Sequence, residues 1–300
     1  MKKKTYLFAL MAMVLTLGSC SDNENGIGGE TSKYITVSTS IGNMTRVATD
    51  EKGGQTFEEG DEISVYAWTG DATIAPDASE RVVNNAINKL TNGSWISTPQ
   101  MLWKNNREKH YFIGVYPTAA ISDLSAGEYT FDVNKQTESD LLVAVNKDGL
   151  SYNVDEQQPV PLTFTHVMAK LVVNLTYKNQ WGGIPTVEKV VVGNAAKEAT
   201  INYLTKVVTP STTAKEDFSL PEITENTKYV SVIIPQEEVT QLTIVIGGKN
   251  FVYDNGTPFK LESGKITTVN LEVGRDEIKL GDVKITNWEN GSTFSGEALN

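Results

Sequence analysis

Apolar and polar residues alternate in short runs through most of this chain, and a period of two commits a segment to a strand with one buried face. Ile35, Val37 and Ile41 fall on one side of the first run. Leu171, Val173, Leu175 and Tyr177 do so in a second, Leu242, Ile244 and Ile246 in a third, and Thr267, Val269, Leu271 and Val273 in a fourth. Shorter β-branched or aromatic runs, 190–192, 230–234 and 251–253, end in Gly, Pro or Asp-Asn-Gly, which are turn residues. One interval has helical spacing instead: Val82, Val83, Ala86, Ile87 and Leu90 predict a helix over 78–90. Many short strands between turn signals predict an all-β chain of antiparallel sandwiches.

A boundary is expected within SYNVDEQQPVP, which is polar and ends in two prolines one residue apart before a new apolar run at Leu162. The expected division is a β-sandwich domain at residues 33–160 and a second at 161–300.

The N-terminus is of a different character. Lys2, Lys3 and Lys4 precede an apolar stretch from Tyr6 to Leu17, closed by Gly18 and Ser19. That is the layout of a signal peptide over residues 1–19, and it falls short of the roughly 20 apolar residues a membrane helix needs. Leu17-Gly18-Ser19-Cys20 resembles the lipobox of bacterial lipoproteins, in which the signal is cut before the cysteine and the thiol is acylated. Cys20 is the single cysteine of the chain, so it has no disulfide partner, and lipidation is its expected use. Acyl chains at about 0.8 kcal/mol per buried CH₂ make it a membrane anchor. Residues 20–32, rich in Ser, Asp, Asn and Gly, are a lipidated flexible tether, and their acidic start, Ser21 to Glu24, resembles a signal for export to the outer face of the outer membrane. The expected location is the cell outer membrane, as a surface-exposed lipoprotein.

The chemistry-bearing residues are few. A net charge of −11 without a Lys/Arg cluster argues against nucleic acid as a partner. His110 and His166 are the only histidines, and neither carries a motif; each reads as a hydrogen-bonded strand residue. No G-x-S-x-G, H-E-x-x-H, C-x-x-C or phosphate loop occurs. Glu58, Glu59, Asp61 and Glu62 crowd one turn and read as a solvated corner rather than a glycosidase pair. Asp132, Asn134 and Asp140 lack the central glycine and closing Glu of a calcium loop. Trp68, Trp95, Trp103, Trp181 and Trp288 read as core residues, with a sugar-stacking face the lesser alternative. No catalytic residue, cofactor or metal is expected, and the chain is read as a non-enzyme.

Several segments together resemble the fimbrillin family of surface lipoproteins, pilins and minor fimbrial subunits. They are Thr45-Arg46, Phe57 to Asp61 leading into Ile63 and Tyr66, Tyr111-Phe112 through Tyr116-Pro117, Asp140 to Ala144, Phe164 to Leu171, and Ile285 to Trp288. The resemblance implies two transthyretin-like sandwiches and a polymer made by strand exchange with other fimbrial subunits. It also implies a trypsin-like processing protease that cuts at Arg46-Val47, releasing a plug strand that carries Ile35, Val37 and Ile41; the processed subunit would reside in the fimbrium. Arg46 taken without the resemblance reads as an ordinary charge after a strand. An alternative function is an anchored, non-polymerising surface protein that binds glycans or host proteins. The tail from Asp276, with Ile278, Leu280, Val283 and Ile285, suits either a donor strand or the last strand of the second domain.

Overall fold

Each of the four alternating runs becomes a strand. The computed structural model describes residues 33–42, 56–153, 158–276 and 278–288; Cys20, Arg46 and Val47 lie outside them. Among these residues the chain is nearly all β, with one four-residue helix, α1 (Gln136–Ser139), and a single 3₁₀ turn at Asn179–Trp181.

The first sheet is built from β1 (Val37–Ile41), β2 (Glu62–Thr69), β3 (Val83–Thr91), β4 (Ser94–Thr98), β5 (His110–Tyr116), β7 (Leu142–Leu150) and β8 (Val160–His166), in the order β1-β8-β7-β5-β2-β3-β4. A small sheet joins β6 (Gly127–Thr130), β11 (Glu198–Asn202) and β12 (Val207–Pro210), with β11 in the middle. The remaining strands form two further sheets. One is β13-β10-β16-β17, from β10 (Val187–Ala196), β13 (Lys215–Ser219), β16 (Gln236–Ile246) and β17 (Lys249–Leu261). The other is β14-β15-β9-β18-β19, from β9 (Ala169–Tyr177), β14 (Glu222–Thr224), β15 (Lys228–Ile233), β18 (Lys265–Val273) and β19 (Ile278–Asn287).

The middle of the first sheet is buried on both faces, which explains why β2 and β5 carry near-continuous buried runs rather than alternating, whereas β1, β4 and β8 keep an exposed face. Ile63, Val65, Ala67, Phe112, Leu142, Ala144, Leu162 and Phe164 point into one core, joined there by Ile35 and Val37. Tyr66, Trp68, Ile113, Val115 and Val143 point the other way, into a larger core shared with the strands after His166. Residues 117–141, the excursion between β5 and β7, belong to that second core through Ile121, Leu124 and Phe131. They are tied down by the β6–β11 pairing and by Gln136, whose Oε1 accepts the Val232 N–H at 2.7 Å.

Four expectations need correction. The interval 78–90 is not a helix but contains β3: Val83 pairs Ala67 and Ala86 pairs Val65, so two residues, Asn84 and Asn85, oppose the single Tyr66. Asn85, at φ 56°, takes up the extra residue in the left-handed region that Asn tolerates. This bulge sets the buried Val83 and Ala86 three apart, and the spacing imitates a helix. The pairing is also not wholly antiparallel, since β1 runs parallel to β8 and β18 parallel to β9. Long connections separate both pairs, as parallel pairing requires. The division drawn between residues 160 and 161 falls inside β8, all of which pairs within the first sheet. Finally, β17 continues through Asp-Asn-Gly, where a turn was expected, and the register against β16 shifts there instead.

Candidate functional site

Ile35, Val37 and Ile41 alternate inward on a segment that is paired along both of its edges. On one side β1 lies parallel to β8, from Val37 opposite Val160 to Ile41 opposite Phe164, with Val160 N–H donating to Thr36 O at 2.8 Å and Gly42 N–H to Phe164 O at 2.8 Å. On the other, Ile35 N–H donates to Met101 O at 2.9 Å and Trp103 N–H to Lys33 O at 3.0 Å, flanking an antiparallel bridge between Tyr34 and Leu102. Residues 101–103 follow β4, which is the opposite end of the seven-stranded order. The sheet therefore curls until its two ends meet, and the N-terminal segment is the piece inserted between them. We call this junction the seam.

Side chains reinforce it. Ile35 is 2% and Val37 6% exposed, and Ile41 is half-buried against the same core. Fully burying an aliphatic side chain of this kind contributes about 1.5–3 kcal/mol. Trp95, on β4, donates its Nε1–H to Thr39 Oγ1 at 2.9 Å and so spans the gap from β4 to β1. The ring of Phe57 stands edge-on to Trp95, Tyr116 and Phe164, with centroids 5.1–5.5 Å apart. Beneath residues 101–103, Trp103 packs edge-on to His110 at 4.9 Å and to Phe112 at 5.7 Å. His110 is held as a neutral ring: Nδ1–H donates to Glu108 O at 3.1 Å, and Nε2 accepts the Lys104 N–H at 3.1 Å. Burial pushes its pKa down. The walls of the seam are thus apolar and aromatic. Lifting out the inserted segment would uncover Met101, Leu162 and Phe164 between two unpaired backbone edges.

The other residues singled out from sequence lie elsewhere. Glu58, Glu59, Asp61 and Glu62 form a corner: Asp61 Oδ2 accepts the Glu58 N–H, Glu59 Oε1 the Asn92 N–H, and Glu62 pairs with Lys89 at 2.9 Å. Asp132 closes a local turn by accepting the Asn134 N–H, while Asp140 accepts from His166 Nδ1–H at 2.7 Å. Trp288, fully buried, stacks on His166 with centroids 4.1 Å apart and planes within 7°. It anchors β19, which pairs with β18 as the last strand of its sheet and, among the described residues after Gly274, Trp288 alone is fully buried.

Sequence reasoning marked Ile35, Val37 and Ile41 as the buried side of a strand but missed the wall made by residues 101–103. A single bridge flanked by two hydrogen bonds has no periodicity to detect; the signal available was Met101-Leu102-Trp103, an apolar triplet just after Pro99.

With the geometry in view, comparison with known proteins is decisive on kinship. The fimbrillin-like family profile matches residues 45–288. The chain belongs to the fimbrillin-like family. A protein of Bacteroides uniformis described as a candidate fimbrium subunit, Fim1C, is 30% identical over 182 residues, covering 58% of this chain and 56% of that one. The fimbrillin-like chain therefore spans about half the length of that curated relative. Crystal structures of candidate cell-adhesion proteins share its fold. One from Bacteroides uniformis has a TM-score of 0.63 at 19% identity, covering 85% of this chain and 98% of its own. One from Bacteroides ovatus has a TM-score of 0.65 at 17% identity, covering 86% and 98%. The tip fimbrial protein Mfa3 of Porphyromonas gingivalis, with a C-terminal truncation, has a TM-score of 0.51 at 11% identity, covering 84% and 99%.

Proposed function

We propose that this fimbrillin-like chain is a structural subunit of a cell-surface fimbria, exported as a lipoprotein on Cys20 and assembled by strand exchange at the seam. The observation that carries the proposal is the double-edged pairing of residues 33–42, between β8 and residues 101–103. A segment held that way stabilises the monomer and blocks the site a neighbour would use. Its hydrogen bonds are mostly main-chain, so another chain with the same alternation could replace it, running parallel to β8.

Covalent continuity sets the order of events. The inserted segment continues through Gly42 toward Arg46, so in the intact chain it returns to the seam at high effective concentration and excludes a competitor. A trypsin-like cut at Arg46-Val47 turns it into a peptide that diffuses away. The lipid on Cys20 then leaves with the released peptide, which moves the subunit from the outer membrane into the fimbrium.

The test compares wild type with Arg46→Ala after limited trypsin digestion, by size-exclusion chromatography and N-terminal sequencing. The wild type is expected to begin at Val47 and to form multimers, whereas Arg46→Ala stays uncut there and monomeric. Wild-type protein cut at Val47 that remains monomeric, even with added peptide spanning residues 276–291, would exclude assembly at the seam.

A further inference from the structure

Of the side chains that the N-terminal segment turns into the seam, Ile35, Val37 and Ile41 are aliphatic and pack against the first core, but Thr39, between Val37 and Ile41, brings a hydroxyl into the same row. Ser38 and Ser40 face outward and are exposed. The wall opposite is apolar throughout, with Val160 beside Val37, Leu162 beside Thr39 and Phe164 beside Ile41, each buried. Neither the alternation nor β8 calls for a polar atom at this point.

Trp95 does. An indole carries one N–H and no acceptor, and that N–H is donated across the seam to Thr39 Oγ1 at 2.9 Å. The donor is fixed from behind: Trp95 pairs with Leu90 through β4, its ring is half-buried against the first core, and Phe57 stands edge-on to it at 5.3 Å. Phe57 and Trp95 both follow Arg46 in the chain, so the donor and its support stay with the subunit when the segment before Arg46 leaves. A strand with an aliphatic residue at the position of Thr39 would cover this N–H without accepting from it, which is unfavourable for a polar group removed from water.

The same bond settles a question of register. A strand with side chains of period two keeps its apolar face when it slides by two residues, so alternation alone permits several seatings. Sliding by two brings Val37 or Ile41 beside Leu162 in place of Thr39, and neither can accept from Trp95. Specifying register is the use for which buried polar contacts are best attested. We propose that Trp95 selects the strand that fills the seam: its partner is a segment of another subunit that runs parallel to β8, presents a threonine or serine between inward-facing aliphatic residues, and takes its register from that hydroxyl. The inference rests on the seam as the assembly site and narrows it, because an alternating strand without the hydroxyl is then a poor partner.

The test is a competition assay on the Cys20→Ala chain cut at Arg46, with the protease inhibited. Fluorescence anisotropy follows a labelled peptide spanning residues 33–42, and unlabelled peptides compete for the seam. A Thr39→Val peptide has the same shape, greater hydrophobicity and higher strand propensity, so burial alone would make it the equal of the wild-type peptide or better. Selection by Trp95 predicts the opposite sign, a competitor weaker by about fivefold or more. On Trp95→Phe protein, checked for an unchanged far-UV spectrum, the deficit of the Thr39→Val peptide should disappear. A Thr39→Val peptide that competes as well as wild type on the Trp95 protein, or that keeps its full deficit on Trp95→Phe, would overturn the selection and leave assembly at the seam standing. Absence of saturable binding by the labelled wild-type peptide would instead remove the seam as an exchange site, and the selection with it.

Discussion

Gly114 occupies the inward face of β5 because the Phe164 ring fills the space a side chain would need. A Cβ there would lie 2.6 Å from Phe164 Cζ and 3.1 Å from Leu162 Cδ1, and the ring cannot swing aside freely because Phe57 stands against it. Gly114→Ala should therefore destabilise the protein by about 1–3 kcal/mol, read as a lower Tm by circular dichroism. His110 supports a pH prediction. Its folded-state pKa is depressed, chiefly by burial, and its Nε2 must stay unprotonated to accept the Lys104 N–H. The unfolded chain then binds the extra proton first, so this contribution is complete above the unfolded value of about 6.5 and declines as pH falls below it. Urea midpoints measured between about pH 7.5 and pH 5 should fall toward acid, and the slope should be smaller in His110→Gln.

At the scale of elements, β1 and β19 are held in opposite ways. The N-terminal segment 33–42 has partners on both edges, residues 101–103 beside 33–35 and β8 along β1, and buries Ile35 and Val37, whereas β19 has a partner on one edge, leaves Val283 and Ile285 about 40% exposed, and depends on Trp288 at its end. Trp288→Ala should cost about 3–5 kcal/mol, and hydrogen exchange should rise in β19 before it rises in the first sheet. Trp95→Phe keeps an aromatic ring but loses the bond to Thr39, so the seam should open more often and trypsin should cut the 43–55 segment faster. These elements also mark what the sequence could tell. The alternation of Ile35, Val37 and Ile41, and of the runs in β9, β16 and β18, identified strands and buried faces because side-chain direction is a local property. Pairing partner and direction are not local, so the parallel contacts of β1 with β8 and of β9 with β18 had no signature. A single bulge at Asn85 was enough to disguise β3 as a helix.

Across the whole molecule the central idea is that the first sheet is complete only while the chain supplies its own N-terminal segment. The all-β class and the buried face carrying Ile35 and Val37 were legible from sequence. The closure of the sheet was not, since it depends on residues 33–35 meeting 101–103 across a seven-strand circuit that no window of sequence spans. The seam can be locked to test this directly. Ser40 and Thr163 are register partners on β1 and β8 with their hydroxyl oxygens 3.1 Å apart, which makes them the pair to replace with cysteines for a disulfide across the seam. The decisive measurement is the multimer fraction, by size-exclusion chromatography, of Ser40→Cys/Thr163→Cys protein in a Cys20→Ala background, cut at Arg46 with and without reductant. The account predicts that the oxidised protein stays monomeric after the cut and multimerises once the disulfide is reduced. Oxidised, cut protein that multimerises as fast as the reduced form would contradict it.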